Sequence, residues 1–501
     1  MKSSETSAPP DVSEAPRTPM SAATAAFIML AMVAVRLIAS AFIPLAPDET
    51  YYLAWSRFPD WSYYDHPPMG AWWIALGTWI FGVNPFGIRV VAILSALPLS
   101  FCVYLTGRVL FDPASGIRGA LWTNATFLMA VGGLLATPDA PAVLFWAVTT
   151  LALALVARTG SGRWWLLVGI GAGLGVISKL TNLFLGPAIL LILLVDRDFR
   201  RWILSPWLWL GGVVALAVAT PMLLWNRAHD WVTLTKQFGR LSHQGFNLLG
   251  PLDFLATQFG IINPLIAIFA GLGLVVALRQ RATPSARGIT LLLWTTLPLV
   301  AYMAVHSFQE QIQGHWLAPI FPTLALAAAA AAQVGGPRWA PLASLVLPVG
   351  IGGMVLGLIA GFNPGNVIPK NLDVGQIVRG WENFADEAEA LRRKAGADWI
   401  AADYYGVYGE LAYRITDVPV VAVFETERYA YAPPPDSGLL DRPVLIVARS
   451  SVASLERCFT GITEVGKVQR RIGERVYDTY TAFRADTAKP GAFDPGCDRL
   501  P

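Results

Sequence analysis

Two short polar motifs follow the first apolar run of this 501-residue chain: Pro47-Asp48-Glu49-Thr50-Tyr51-Tyr52, then Tyr64-Asp65-His66-Pro67-Pro68. Three carboxylates and a histidine are costly beside lipid, so this grouping marks chemistry rather than filler. At the end of a span, Asp48 or Glu49 can take a proton from an attacking hydroxyl. Neighbouring carboxylates also raise one another's proton affinity or hold a divalent cation, which makes Asp48, Asp65 and His66 a candidate metal set. Pro47-Asp48 also reads as a helix start, but the return of Asp65 and His66 to the same loop favours catalysis. His66 precedes a rigid Pro-Pro turn. Protonated or metal-bound, it suits a phosphate leaving group; a solvated surface turn is the plainer alternative. The flanking Tyr51, Tyr52, Tyr63, Tyr64, Trp72 and Trp73 suit either an interfacial belt or stacking on sugar rings.

Further polar groups fall at other helix ends. Thr137-Pro138-Asp139-Ala140-Pro141 breaks two apolar runs, and Asp139 faces the same side as Asp48. Lys179 lies alone between two short apolar runs and needs an anionic partner, either a phosphate or Asp139. Trp225-Asn226-Arg227 with His229, and Gly314-His315-Trp316 with Glu310, read individually as interfacial anchors more readily than as ligand contacts.

The elements that must position these residues are membrane spans. With 54% hydrophobic and 14% charged residues, the composition is that of an integral membrane protein. Residues 1–20 read as a polar, disordered cytoplasmic tail. Residues 21–362 form the membrane domain, with the polar motifs in an outer loop at 45–84. Apolar runs at 21–44, 85–107, 118–135, 139–157, 163–178, 180–195, 205–225, 255–278, 288–305, 315–334 and 340–361 predict about eleven spans. Arginines at 108, 118, 158, 163, 197, 200, 201, 279, 281, 287 and 338 fall in alternate loops, which places those loops and the N-terminus in the cytoplasm. The acidic loops, and the C-terminus, then lie outside.

After residue 365 charges become frequent and apolar runs shorten to strand length at 399–402, 420–423 and 444–448, with helical patterns at 376–395 and 451–457. Residues 365–501 therefore read as a small soluble α/β domain on the extracytoplasmic side, packed over the membrane mouth or free on a linker. Cys458 and Cys497 both fall in it and can pair in an oxidising compartment, whereas Cys102 lies in a span.

The net charge of +3 leaves no basic patch for nucleic acid, and no P-loop or HExxH motif is present. Any donor must therefore be an activated substrate already in the membrane or outside it. Taken in order, Asp48-Glu49 with Tyr51-Tyr52, Tyr64-Asp65-His66-Pro67-Pro68-Met69, Thr137-Pro138-Asp139-Ala140, Ser178-Lys179, Trp225-Asn226 with His229, and Gly314-His315-Trp316 resemble bacterial GT-C glycosyltransferases of the family 39 type. These are relatives of protein O-mannosyltransferases and of the lipid A aminoarabinose transferase. The resemblance covers about residues 25–335. It implies a polytopic α-helical GT-C fold, a polyprenyl-phosphate sugar donor, inversion at the anomeric carbon, and a lipid acceptor such as lipid A or lipopolysaccharide core in the bacterial inner membrane.

Carried over by residue, the resemblance makes Asp48, with Glu49 beside it, the base or acceptor-positioning carboxylate and Asp139 a second site carboxylate. Lys179 becomes a donor-phosphate contact, with Asp65, His66, Tyr51, Tyr52, Tyr64 and His315 around the substrates. In the aminoarabinose transferases the residue before Pro-Pro is usually Lys, preceded by Glu. Here His66 and Asp65 stand instead, closer to relatives that transfer uronic acids or hexoses. The only cofactor suggested is a divalent cation. Competing readings are protein O-glycosylation, a flippase or transporter of polyprenyl-linked sugar, and a scaffold recruiting envelope proteins. Transporters, however, place polar sites near midmembrane at repeated broken helices, and here the acids gather at one face.

Overall fold

The computed structural model describes residues 20–239, 246–280, 283–362, 368–369, 373–494 and 497. The expected tail at 1–20 lies almost wholly outside them. Among the described residues, seven helices are long and apolar enough to cross a membrane: α1 (Ala22–Ser40), Pro85–Leu110, Asp139–Thr159, Pro206–Ala228, Pro284–His306, Gly314–Val334 and Pro337–Phe362. Two bent pairs, Leu180–Val195 with Arg197–Leu204 and Gly250–Ile261 with Pro264–Arg279, raise the number to nine. The chain is a multi-pass membrane protein.

Two of the eleven apolar runs do not hold a single helix of that length. The run at 118–135 divides into helix Pro113–Asn124 and a short turn Phe127–Ala130, because Thr126 leaves helical geometry to cap Met129. The run at 163–178 holds the helix Trp164–Val176, whose 13 residues reach only about 20 Å. Hydropathy registers an apolar run but not the turn that interrupts it. The run at 255–278 is likewise bent, at Asn263. That residue is fully buried with φ at 81°, and its amide bridges the carbonyls of Ala125 and Val346.

The loop at 45–84 is mostly helical. α2 (Pro47–Ser56) begins with Pro at its first position and acids in its first turn, a favourable start for both backbone geometry and the helix dipole. α3 (Met69–Phe81) follows the Pro-Pro turn, and α4 (Pro85–Leu94) opens the next span. Eight of the ten residues of α2 are buried, far more than a one-sided amphipathic helix allows, so it is enclosed on all sides.

The C-terminal domain is a five-stranded mixed sheet. β1 (Trp399–Ala402) pairs in parallel with β2 (Val420–Ala422) and β3 (Val444–Ala448), and the hairpin Thr463–Ile472/Arg475–Ala485 joins β3 antiparallel. β1 and β3 are buried on both faces, which is why they read as unbroken apolar runs. Phe384 and Ala388 of helix Trp381–Lys394 cover one face; the other face packs around a Cys458–Cys497 disulfide, its Cα atoms 5.8 Å apart. This domain packs against the loop that follows α1. Helix Tyr405–Arg414, between β1 and β2, packs lengthwise on α2.

That contact depends on Gly409. A Cβ built there would lie 2.8 Å from Thr50 Oγ1 and 2.9 Å from the Tyr51 amide nitrogen. Gly409→Val is expected to push the domain off α2 and cost about 1–3 kcal/mol of stability. Differential scanning fluorimetry of the purified protein checks this; an unchanged melting temperature would mean the two helices are not held at this distance.

Candidate active site

The site is built outward from Glu49, which is fully buried against Arg89 of α4. Arg89 Nε and Nη2 donate to the two Glu49 oxygens at 2.7 and 2.6 Å, and its remaining protons go to the carbonyls of Ile43 (2.7 Å), Pro44 (2.8 Å) and, more weakly, Ser40 (3.4 Å). Glu49 in turn accepts from the backbone amides of Ala46 and Ala136, both at 2.9 Å. All five guanidinium protons and four carboxylate acceptor sites are engaged, the condition under which an ion pair withstands burial.

One residue earlier, Asp48 points elsewhere. It lies where two cavities meet, one of about 410 Å³ and one of about 340 Å³; Tyr52, His66, Lys179, Gln313 and His315 also border both. Its Oδ1 accepts from Tyr405 of the C-terminal domain at 3.1 Å. Burial holds the Asp48 carboxyl above the ordinary carboxylate range; Tyr405 opposes this, and Glu49, Asp65 and Asp139 add to it. Burial, with the charge of Lys179, pushes the His66 imidazole down to about 4. The cluster thus pairs a carboxylate of raised basicity with a neutral histidine.

Asp65 is held on two sides. It accepts from Tyr51 at 2.9 Å and is ion-paired to Arg428 of the C-terminal domain, whose guanidinium also lies 4.9 Å over the Tyr64 ring. The loop carrying Asp65 and His66 is tied down by the helices beyond residue 206. Trp225 donates to Asp60 (2.7 Å), Thr233 to the Tyr63 carbonyl (2.7 Å) and Gln237 to the Asp65 carbonyl (2.6 Å). Lys179 meets Asp139 at 2.6 Å. Of the two partners open to Lys179, the structure supplies the carboxylate.

Residues 65–225 match the family described as dolichyl-phosphate-mannose-protein mannosyltransferases. The lipid A galacturonosyltransferase RgtD of Rhizobium johnstonii is 28% identical over 382 residues, 74% of this chain and 77% of that protein. An undecaprenyl phosphate-alpha-4-amino-4-deoxy-L-arabinose arabinosyl transferase of Pseudomonas aeruginosa is 33% identical over 196 residues, 36% of this chain and 34% of that one. The crystal structure of ArnT from Cupriavidus metallidurans bound to undecaprenyl phosphate superposes with a TM-score of 0.64 at 17% identity, over 92% of this chain and 98% of that one. This chain has the fold of the GT-C glycosyltransferases.

The cavities gather Asp48, Tyr51, Tyr52, Asp65, His66, Asp139, Lys179 and His315. Glu49 and Tyr64 line neither; Glu49 is turned into its ion pair, and Tyr64 lies beneath Arg428 and Lys236. The candidate metal set at Asp48, Asp65 and His66 is not formed. Among the described residues no three His, Cys, Asp or Glu side chains group closely enough to hold a metal ion, and Asp65 is taken by Arg428. Burial and a nearby lysine disfavour a charge on His66.

Arg36, Arg89, Gln313, Tyr405 and Arg428 complete the site without having been singled out in the sequence. For Arg36 and Arg89 a signal existed, an arginine inside an apolar run. Tyr405 and Arg428 carry none, because nothing in a strand pattern says which face of the domain docks.

If Asp48 must be ionised to act, transfer should fall on acidification at a pH above the ordinary carboxylate range, because its proton affinity is raised. Tyr405→Phe removes a hydrogen bond that favours the ionised form, so the acid limb of kcat/KM is expected to move to higher pH. A pH–rate profile in which the limb stays in place would show that Asp48 ionisation does not control the reaction.

Proposed function

We propose that this transferase moves a sugar from a polyprenyl-phosphate donor to lipid A or lipopolysaccharide core at the periplasmic face of the inner membrane, with inversion at the anomeric carbon. The observation that supports this reading most directly is the position of Asp48 at the junction of two cavities. Two substrates entering from different sides meet at one buried carboxylate. Asp48 takes the proton of the acceptor hydroxyl as its oxygen bonds to C1, and the C1–O bond to phosphate breaks with its electron pair leaving on the phosphate. Asp139, fixed to Lys179, keeps a cation beside that junction for the departing charge. The names of relatives acting on lipid A and the undecaprenyl phosphate in the neighbouring structure favour this donor and acceptor over a protein acceptor.

In this reading the N-terminus is cytoplasmic and the C-terminal domain periplasmic, which the arginine-rich loops support. Docking of that domain on α2 and the Asp65 loop agrees with both lying on one side.

Asp48→Asn should fold normally and lose transfer by about 10²–10⁴-fold. Near wild-type turnover with lipid A or core acceptor would end the base assignment. Mass spectrometry of lipid A, core oligosaccharide and envelope glycoproteins from a deletion strain distinguishes the acceptors; a sugar missing only from a protein would favour O-glycosylation.

For topology, Ser62 in the outer loop is fully buried and unsuited to labelling, whereas Pro59, Ser437 and Thr283 are exposed. Single cysteines at Pro59 and Ser437 in a Cys102→Ser background should react with an impermeant thiol reagent in intact spheroplasts. A cysteine at Thr283 should react only after lysis. Labelling of all three from one side would overturn the orientation.

A further inference from the structure

The second cavity is lined in part by an arginine that the reaction as described does not use. Arg36, just over one turn from the end of α1, is 1% exposed and helps line the cavity that also reaches Asp48, Tyr52 and His66. Its surroundings are the reverse of those of Arg89. Nη1 has only a marginal contact with Asn124 Oδ1 at 3.5 Å, while Nε and Nη2 have no partner at all. Asn124 is itself oriented by its amide nitrogen, which donates to Ser100 Oγ (2.8 Å) and the Ala120 carbonyl (3.0 Å), leaving its oxygen toward the guanidinium. A buried, unpaired guanidinium inside a membrane domain is strongly disfavoured unless an anion comes to it.

We propose that Arg36, with Asn124 beside it, is a subsite for the carboxylate of a uronic acid, the sugar carried by the donor. The proposal rests on the sugar-transfer reading above. Asp48 and Arg36 line one cavity, so a sugar with C1 at Asp48 can present a ring substituent to Arg36. The donor phosphate fits that end poorly, because it carries the polyprenyl chain and needs a path to lipid, whereas Arg36 is enclosed. A carboxylate at the end of a sugar carries nothing further. It also matches the planar fork of a guanidinium, and the same charge would repel an amino sugar.

The test uses the full-length protein in nanodiscs with two donors on one lipid, polyprenyl-phosphate galacturonate and polyprenyl-phosphate galactose. The wild type should prefer the uronate. In Arg36→Met the ratio of kcat/KM for the two donors should fall about ten- to a hundredfold, the size of a charge-assisted hydrogen bond, chiefly through KM, and Arg36→Lys should recover part of it. Where Arg36→Met does not fold, Gly133→Val gives the same reading, because a Cβ there lies 3.7 Å from Arg36 Cζ and added methyls press on the guanidinium. Both donors falling together, with the ratio unchanged, would overturn the proposal in favour of a phosphate or structural role. Equilibrium binding of the two lipids separates the subsite from the transfer reaction. If neither sugar is transferred yet the uronate lipid binds more tightly in an Arg36-dependent way, the transfer reading fails and the subsite stands. Equal binding of the two lipids would overturn the subsite.

Discussion

The Glu49–Arg89 pair is the constraint on which the rest of the site depends. One buried carboxylate and one buried guanidinium gather the end of α1 through the carbonyls of Ser40, Ile43 and Pro44, the start of α2 through the Ala46 amide, α4 through Arg89 itself, and the turn before Asp139 through the Ala136 amide. Such a pair is stable in a low-dielectric interior only when both partners are saturated, and removing either would strand a charge. Asp48 is adjacent in sequence, so its backbone is set by this network while its side chain remains free to meet substrate. The two acids of one dipeptide thereby take different parts: Glu49 fixes geometry, and Asp48 faces the junction of the cavities.

The same division recurs across the site. Asp65 is committed to Tyr51 and Arg428, and Asp139 to Lys179, so these carboxylates order the loops and balance charge. Only Asp48 has a neutral partner alone, the Tyr405 hydroxyl, among the ion pairs and side-chain hydrogen bonds of these four acids. A half-buried acid without a cationic partner keeps a high proton affinity, which is the property a base requires.

The C-terminal domain contributes to the site itself. Tyr405 and Arg428 reach Asp48 and Asp65 from the docked face, and Gly409 allows the two helices to approach. Four tyrosines, Tyr51, Tyr405, Tyr429 and Tyr431, pack with Trp55 and Tyr63 at this junction, so the domain and the loop share one aromatic core. The domain therefore closes the site from above as well as supplying two of its side chains.

The sequence by itself determined the membrane class, the polar loop after α1, and strands near 399–402, 420–423 and 444–448, the second one residue shorter in the structure, because hydropathy and period are local properties of the chain. The ordered motifs also pointed to the residues that the cavities gather. Only the tertiary structure decided which acid of Asp48-Glu49 faces the cavity, since both precede the same helix and differ only in what packs against them. It also decided that Lys179 pairs with Asp139 and that Arg89 and Arg36, two arginines in apolar runs, have opposite surroundings. One meets a carboxylate and the other lines a cavity. Partners distant in sequence, such as Thr50 and Glu410 or Asp65 and Arg428, come together only through the packing of whole helices, and no local pattern encodes that.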